Sequence, residues 1–211
     1  MRGPDLSLYV VLDAALCDRR GRVEAALAAA RGGAGIVQLR DKRGDTRARI
    51  AAARALKAAL AGRGVALVVN DDAEAAVAAE AGGVHVGQGD LSAAAARGLI
   101  GHERLLGVSV ETVAQARAVD PSLVDHVGAG PVLATGTKPD HAEPTGFDGL
   151  AAIIAASPVP AVAIGGMTAA HARPAVAAGA AGLAVVSAVC AAADPEVAAR
   201  SILDAVREAR R

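Results

Sequence analysis

Short, almost uninterrupted apolar runs alternate along the chain with longer alanine-rich stretches in which charged residues recur at helical intervals. The first kind fits strands covered on both faces, and the second fits helices with one apolar side. LYVVLD predicts a first strand within residues 6–13, and GRVEAALAAAR predicts the helix after it. GAGIVQLRD supplies a second strand from about Gly35 to Leu39. A long helix follows from about Thr46 to Ala61 and stops at the Gly62–Arg63–Gly64 break. VALVVND and AEAAVAAEAG form the third pair; GVHVGQGD is the fourth strand, with a helix beginning near Leu91. LLGVS with VETVAQARA is the fifth pair, and LVDHVGAG the sixth strand. A loop punctuated by glycine and proline, GPVLATGTKPDHAEPTG, then leads to the helix GFDGLAAIIAAS. PAVAIGG with AAHARPAVAAGA and AGLAVVS with DPEVAARSILDAVREAR complete the series. Pro174 marks either the first turn of its helix or a bend in it.

Eight strand–helix repeats imply parallel pairing, right-handed crossovers and helices outside the sheet. Eight such units close into an α/β fold of one domain over residues 1–211, a (β/α)8 TIM barrel with its chemistry at the C-terminal strand ends. The alternative, an open doubly wound sheet, needs closely spaced glycines at the first strand-to-helix turn, and LYVVLDAALCDRRG has none. The 211 residues fall short of the roughly 250 typical of the fold, which compact helices and short underside loops accommodate.

Composition narrows the function. Aromatics make up only 1% of the chain, so aliphatic side chains must fill the core. Twenty-two basic residues balance 22 acidic ones. That balance supplies no basic field for nucleic acid or an anionic membrane surface. Cys17 and Cys190 are too few and too far apart for a disulfide framework or a cysteine metal site. No signal-peptide pattern and no membrane-length apolar run is evident, which predicts a cytoplasmic protein. Oligomeric state is not legible, and a homo-oligomer is compatible with the sequence.

The polar residues that interrupt the strand pattern fall at one end of the predicted barrel. Gln38, Arg40 and Lys42 follow strand two, Asn70 and Asp71 close strand three, and Gln88 and Asp90 follow strand four. Ser109 closes strand five, and Thr135, Thr137 and Lys138 lie in the loop after strand six. Arg40, Lys42 and Lys138 make a local positive pocket suited to a leaving pyrophosphate, whose charge rises as its bond to carbon breaks. Asp71 and Asp90 read either as caps of the helices that follow or as oxygen ligands for one magnesium ion shared with phosphate. His85 is either a satisfied structural histidine or a support for the site. Gly165, Gly166 and Ser187 mark a second anion site between strands seven and eight, completed by backbone amides of a short helical turn.

Across nearly the whole chain, LYVVLD, GIVQLRDK, LVVND, GVHVGQGDL, LLGVS, GAGPVLATGTK, AIGGM and AVVSA resemble, in order and spacing, the thiamine-phosphate synthase family, also called thiamine-phosphate pyrophosphorylases. The resemblance implies a (β/α)8 barrel that joins hydroxymethylpyrimidine diphosphate to a thiazole phosphate, with magnesium required. It assigns Gln38 to the pyrimidine, Arg40, Lys42 and Asn70 to the diphosphate, and Asp71 and Asp90 to the metal. Ser109 would lie by the pyrimidine and departing pyrophosphate. Thr135, Thr137 and Lys138 would line the meeting point of the substrates, and Gly166, the backbone of Val186, and Ser187 would receive the thiazole phosphate. Departures from the family pattern fall at Leu12, in place of a frequent threonine, and at His126 and Leu133, in place of frequent aromatics. Val86 stands where leucine is common.

These residues predict metal-assisted loss of pyrophosphate from the pyrimidine methylene, followed by attack of the thiazole nitrogen, with no protein nucleophile. Arg40, Lys42, Ser109 and Lys138 are the candidates for catalysis. A thiazole tautomerase on the same fold would place a histidine in the loop that here reads ATGTK. A phosphosugar isomerase would have little use for Asp71, Asp90, Arg40 and Lys42 together, and a noncatalytic sensor lacks a supporting appended segment. The loop over 131–146 is expected to act as a lid that orders when diphosphate engages Lys138.

Overall fold

The computed structural model describes residues 4–17, 20–137 and 142–211. Eight strands in these residues close in sequence order into a parallel barrel: β1 (Leu8–Asp13), β2 (Ile36–Arg40), β3 (Ala66–Asn70), β4 (Gly83–Val86), β5 (Leu105–Val110), β6 (His126–Ala129), β7 (Ala161–Ile164) and β8 (Gly182–Val185). The helices between them are α1 (Ala14–Cys17), α2 (Arg22–Arg31), α3 (Thr46–Leu60), α4 (Ala73–Ala78), α5 (Ala93–Ile100), α6 (Val113–Arg117), α7 (Gly146–Ala156), α8 (Ala172–Ala177), α9 (Ser187–Cys190) and α10 (Pro195–Ala209). The predicted (β/α)8 architecture is the one observed. Pro174 sits in the first turn of α8, where its missing N–H leaves no helical bond unmade.

Helix starts follow local chemistry. Asp45, Asp72 and Ser92 each accept a backbone N–H three residues on, and Thr112 with Gln115 forms a reciprocal capping box. Asp194 caps α10 immediately before Pro195. In α10, Ala199, Ile202, Leu203 and Val206 form the buried face, and the helix packs against α2 and α8. A side chain at Gly32 would collide with Ala199, so this glycine permits the close approach of α10 to the end of α2.

Strand alternation divides the apolar residues into two shells. Leu8, Val10 and Leu12 of β1 belong to the larger cluster under the helices, while Tyr9 and Val11 join Ile36, Val68, Val162 and Ala184 inside the barrel. With a single tyrosine in the chain, the interior is not filled to the rim. Among the described residues, no helix is long and apolar enough to cross a membrane.

Candidate active site

Continuing the inward parity toward the C-terminal strand ends turns aliphatic residues into polar ones. Ile36 is followed by Gln38 and Arg40, Val68 by Asn70, and Gly107 by Ser109. A cavity of about 390 Å3 opens there. Gln38, Arg40, Lys42, Asn70, Asp71, Asp90, Ser109, Thr135, Thr137, Gly166, Val186 and Ser187 all border it. Lys138 lies outside the described residues. The sequence therefore placed the described candidates around one space, although they come from seven strand ends.

The cationic side of the cavity differs from a bare positive pocket. Arg40 Nη1 donates to Asp13 Oδ2 at 2.5 Å, and Lys42 Nζ donates to Asp71 Oδ2 at 2.5 Å. Both cations thus enter paired with a carboxylate, and Lys42, 58% exposed, keeps room to change partners. Asp41, between them in sequence, is buried and ties the loop together. It accepts the N–H groups of Arg43 and Gly44 and pairs with Arg22 at 2.9 Å.

Neither acidic candidate caps a helix. Asp72 and Ser92 take those roles, which frees Asp71 and Asp90 for the cavity mouth. Asp71 holds a left-handed backbone with φ 63°, unusual outside glycine, and its N–H donates to His85 O at 2.8 Å. Asp90 Oδ2 accepts the Gly87 N–H at 2.8 Å. Burial raises the Asp71 carboxyl above the usual carboxylate range; Lys42 opposes that rise and the adjoining Asp90 adds to it. An outer groove of about 510 Å3 continues from Lys42, Asp71 and Asp90 toward Arg49 and Leu99. Among the described residues, no group of three or more histidine, cysteine, aspartate or glutamate side chains has the arrangement of a metal site.

At the opposite edge, Gly165 and Gly166 adopt φ 99° and 68°. A side chain on Gly166 would meet Ala134 O and Leu133 Cβ at 2.9 Å each, so the pair of glycines lets the loop after β6 close onto β7. Val132 N–H donates to Ile164 O at 2.9 Å and Leu133 N–H to Gly165 O at 3.1 Å. On the other side of the loop, Thr145 and Gly146 N–H groups donate to Pro131 O and Val132 O, both at 2.9 Å. The loop expected to form a lid is therefore pinned at both ends, and its residues 138–141 lie outside the described residues.

The floor was the least legible part. Tyr9 accepts the Gln38 amide at its hydroxyl, at 2.7 Å, and this contact orients a residue assigned to the pyrimidine by resemblance. His85 Nε2 lies 3.0 Å from Ser109 Oγ, so His85 reaches a cavity residue and is not only packing. Tyr9, His85 and His126 form a ring cluster, with centroids 5.7–6.4 Å apart. Inward parity in LYVVLD and in the sixth strand was the available signal for Tyr9 and His126. Of the departures, Leu12 and Val86 face the outer core and Leu133 packs against it from a partly buried position, whereas His126 faces the barrel interior.

Burial pushes His85 down to about 4 and His126 down to about 3, so both imidazoles are neutral at pH 7. Both depressed values lie below the ordinary 6.5, so the unfolded chain takes up these protons first as pH falls. Stability is expected to be full above about pH 6.5 and to decline on acidification, with the loss complete near pH 3. Urea unfolding at pH 7 and pH 5 should therefore give a lower midpoint at pH 5, and His126→Phe should narrow the difference. An equal difference in that variant would contradict the assignment of the loss to His126.

Similarity to known proteins agrees with this geometry. The sequence profile described as thiamine monophosphate synthase matches residues 8–189. A thiamine-phosphate synthase from Psychrobacter sp. is 49% identical over 201 residues, covering 94% of each chain. One from Xanthobacter autotrophicus is 49% identical over 206 residues, covering 98% of each. A solved structure, thiamine phosphate pyrophosphorylase from Pyrococcus furiosus, superposes with a TM-score of 0.87 at 30% identity over 98% of both chains. The chain belongs to the thiamine-phosphate synthase family of enzymes.

Proposed function

We propose that this barrel couples hydroxymethylpyrimidine diphosphate with thiazole phosphate to give thiamine phosphate and pyrophosphate. The observation that carries the proposal is the single cavity that joins the Arg40–Lys42–Asp71–Asp90 cluster to the Gly166–Ser187 edge. Two anionic groups on different substrates need two such ends, with space between them for the reacting carbon and nitrogen.

Gln38, held by Tyr9, orients the aminopyrimidine. Arg40 and Asn70 bind the diphosphate, and Lys42 exchanges Asp71 for a phosphate oxygen as the substrate enters. Thr135 and Thr137 border the space where the substrates meet, and Gly166, Val186 and Ser187 receive the thiazole phosphate. The electron-rich pyrimidine spreads positive charge as pyrophosphate departs, so the path is dissociative and needs no protein nucleophile. Arg40, Lys42, Lys138 and the Ser109 hydroxyl stabilise the leaving charge. Confinement in one cavity would hold the thiazole nitrogen close to the cationic carbon and limit its capture by water.

Asp71 and Asp90 fit magnesium by their chemistry: two adjoining carboxylates at the mouth, with the Asp71 carboxyl held up in part by its neighbour's charge. Magnesium commonly takes one or two carboxylates and completes its shell with phosphate and water, so a third protein carboxylate is not required. When bound, it would neutralise charge on the diphosphate.

The test is coupling with both precursors, with and without magnesium. Turnover that needs neither magnesium nor thiazole phosphate would reject the proposal. Gly166→Ala places a methyl against Leu133 and Ala134 O in a left-handed backbone. It should raise KM for thiazole phosphate about tenfold or more and leave KM for the pyrimidine diphosphate nearly unchanged. The reverse pattern would move the thiazole-phosphate site elsewhere.

A further inference from the structure

Arg40 and Lys42 reach the cationic end of the cavity with carboxylate partners of different kinds. The Lys42 side chain is exposed, and its partner Asp71 borders the cavity. The Arg40 side chain is 18% exposed, and its partner Asp13, 14% exposed, is not among the residues that border the cavity. Register sets this second pair. Asp13 ends β1, Arg40 ends β2, and the two are Cα partners across the sheet. Strand alternation gives both the inward parity, continuing Tyr9 and Val11 on one strand and Ile36 and Gln38 on the other. Asp13 divides its two oxygens. Oδ2 accepts from Arg40 Nη1 at 2.5 Å, while Oδ1 accepts the N–H groups of Ala15 and Leu16 at 3.0 and 3.4 Å and starts α1. A carboxylate tied to the backbone by one oxygen offers the other at a set position. Asp13 is the only hydrogen-bond partner of the Arg40 side chain among the described residues. The rest of the rigid guanidinium fork therefore remains for a ligand in the cavity that Arg40 borders.

We propose that Asp13 is a positioning residue for the diphosphate, holding the Arg40 guanidinium in one orientation before the substrate arrives. A free arginine side chain samples many rotamers, and an anion that binds it must first order them. Asp13 removes that requirement, and the planar fork then meets two phosphate oxygens at once. Asp13 also carries a negative charge, which opposes binding of any anion nearby. The hold on Arg40 outweighs that repulsion, because the fork borders the cavity and Asp13 does not. The two cations thus divide the work: Arg40 is preset, and Lys42 is the charge that moves. The inference deepens the proposed function, because it rests on diphosphate being the anion that Arg40 receives.

The experiment is calorimetric titration of the full chain with inorganic pyrophosphate in the presence of magnesium, alongside steady-state coupling kinetics. Asp13→Asn is the informative variant, because asparagine has one acceptor oxygen where aspartate has two. That oxygen can serve the start of α1 or Arg40, and not both. Pyrophosphate affinity should fall about tenfold, with a similar rise in KM for the pyrimidine diphosphate. KM for thiazole phosphate should stay within about twofold, which a general loosening of the barrel would not permit. Arg40→Lys tests the same point with Asp13 left in place. It keeps the charge, but one ammonium cannot hold Asp13 and span two phosphate oxygens, so pyrophosphate should weaken by a similar factor. In an Arg40→Ala background, Asp13→Asn should weaken pyrophosphate no further, because Asp13 acts through the missing guanidinium. Unchanged or tighter pyrophosphate binding in Asp13→Asn overturns the proposal. So does full affinity in Arg40→Lys, or a further tenfold loss when Asp13→Asn is added to Arg40→Ala. If pyrophosphate binding follows the expected pattern but no form of the protein couples the two precursors, the proposed function fails and the positioning role stands.

Discussion

Replacing Asp71 and Asp90 together with asparagine lowers the coupling rate by about a thousandfold or more. Asparagine is the informative substitution. It tolerates the left-handed backbone at 71, φ 63°, and its carbonyl can still accept the Gly87 N–H that Asp90 now takes. The change removes charge and leaves the loops in place. Lys42 loses its Asp71 partner, but it is 58% exposed, so that ion pair contributes little to folding. Removing the repulsion that helps hold the Asp71 carboxyl up acts in the opposite direction. Denaturant unfolding should therefore stay within about 1 kcal/mol of the unsubstituted protein while coupling is lost. Retained turnover in a folded double variant would remove these carboxylates from the metal role.

The largest effect on stability is expected far from the chemistry, at Arg97. Its side chain, 6% exposed, donates to Leu123 O at 2.8 and 2.6 Å, to Gly101 O at 2.7 Å and to Arg104 O at 2.6 Å. It also pairs with Asp125 Oδ2 at 2.8 Å, and that oxygen accepts Leu106 N–H at 2.7 Å. One guanidinium thus joins the end of α5 to the turns that enter β5 and β6, at the N-terminal face of the barrel. Arg97→Ala leaves the partly buried carbonyls of Leu123 and Arg104 without this donor and should destabilise the fold by about 2–4 kcal/mol. The melting temperature should fall by roughly 10 °C. Arg97→Lys should recover little, because one ammonium cannot reach these divergent acceptors. The folded fraction should couple at the normal kcat. A loss below about 1 kcal/mol would show that the turns satisfy their carbonyls by other means.

The contrast between these two sites explains what was readable beforehand. Strands such as LYVVLD and helices such as DPEVAARSILDAVREAR carry their period in their own residues, and the barrel follows from the eightfold alternation. The cavity-lining candidates were legible because a polar residue at the end of an apolar strand is conspicuous. Choosing between functional and capping roles was not: Asp71 and Asp72 are adjacent, and only the fold shows that Asp72 caps α4 while Asp71 turns to the cavity. Partners distant in sequence were equally hidden. Arg40 meets Asp13, Gln38 meets Tyr9, and Arg97 meets Leu123 through closure of the barrel. His85 and His126 come together only because strand register sets Gly107 between them. No local pattern encodes a register, so none of these pairs could be read from one segment.

The central claim is that one cavity brings two phosphorylated substrates together and transfers the pyrimidine methylene between them. Its most direct test is a product balance for the purified full chain, supplied with magnesium, hydroxymethylpyrimidine diphosphate and thiazole phosphate. Thiamine phosphate, pyrophosphate and hydroxymethylpyrimidine alcohol are measured together over time. Equal amounts of thiamine phosphate and pyrophosphate, with little alcohol, are predicted. Pyrophosphate accompanied by alcohol in place of thiamine phosphate, or no pyrophosphate at all, would contradict the account.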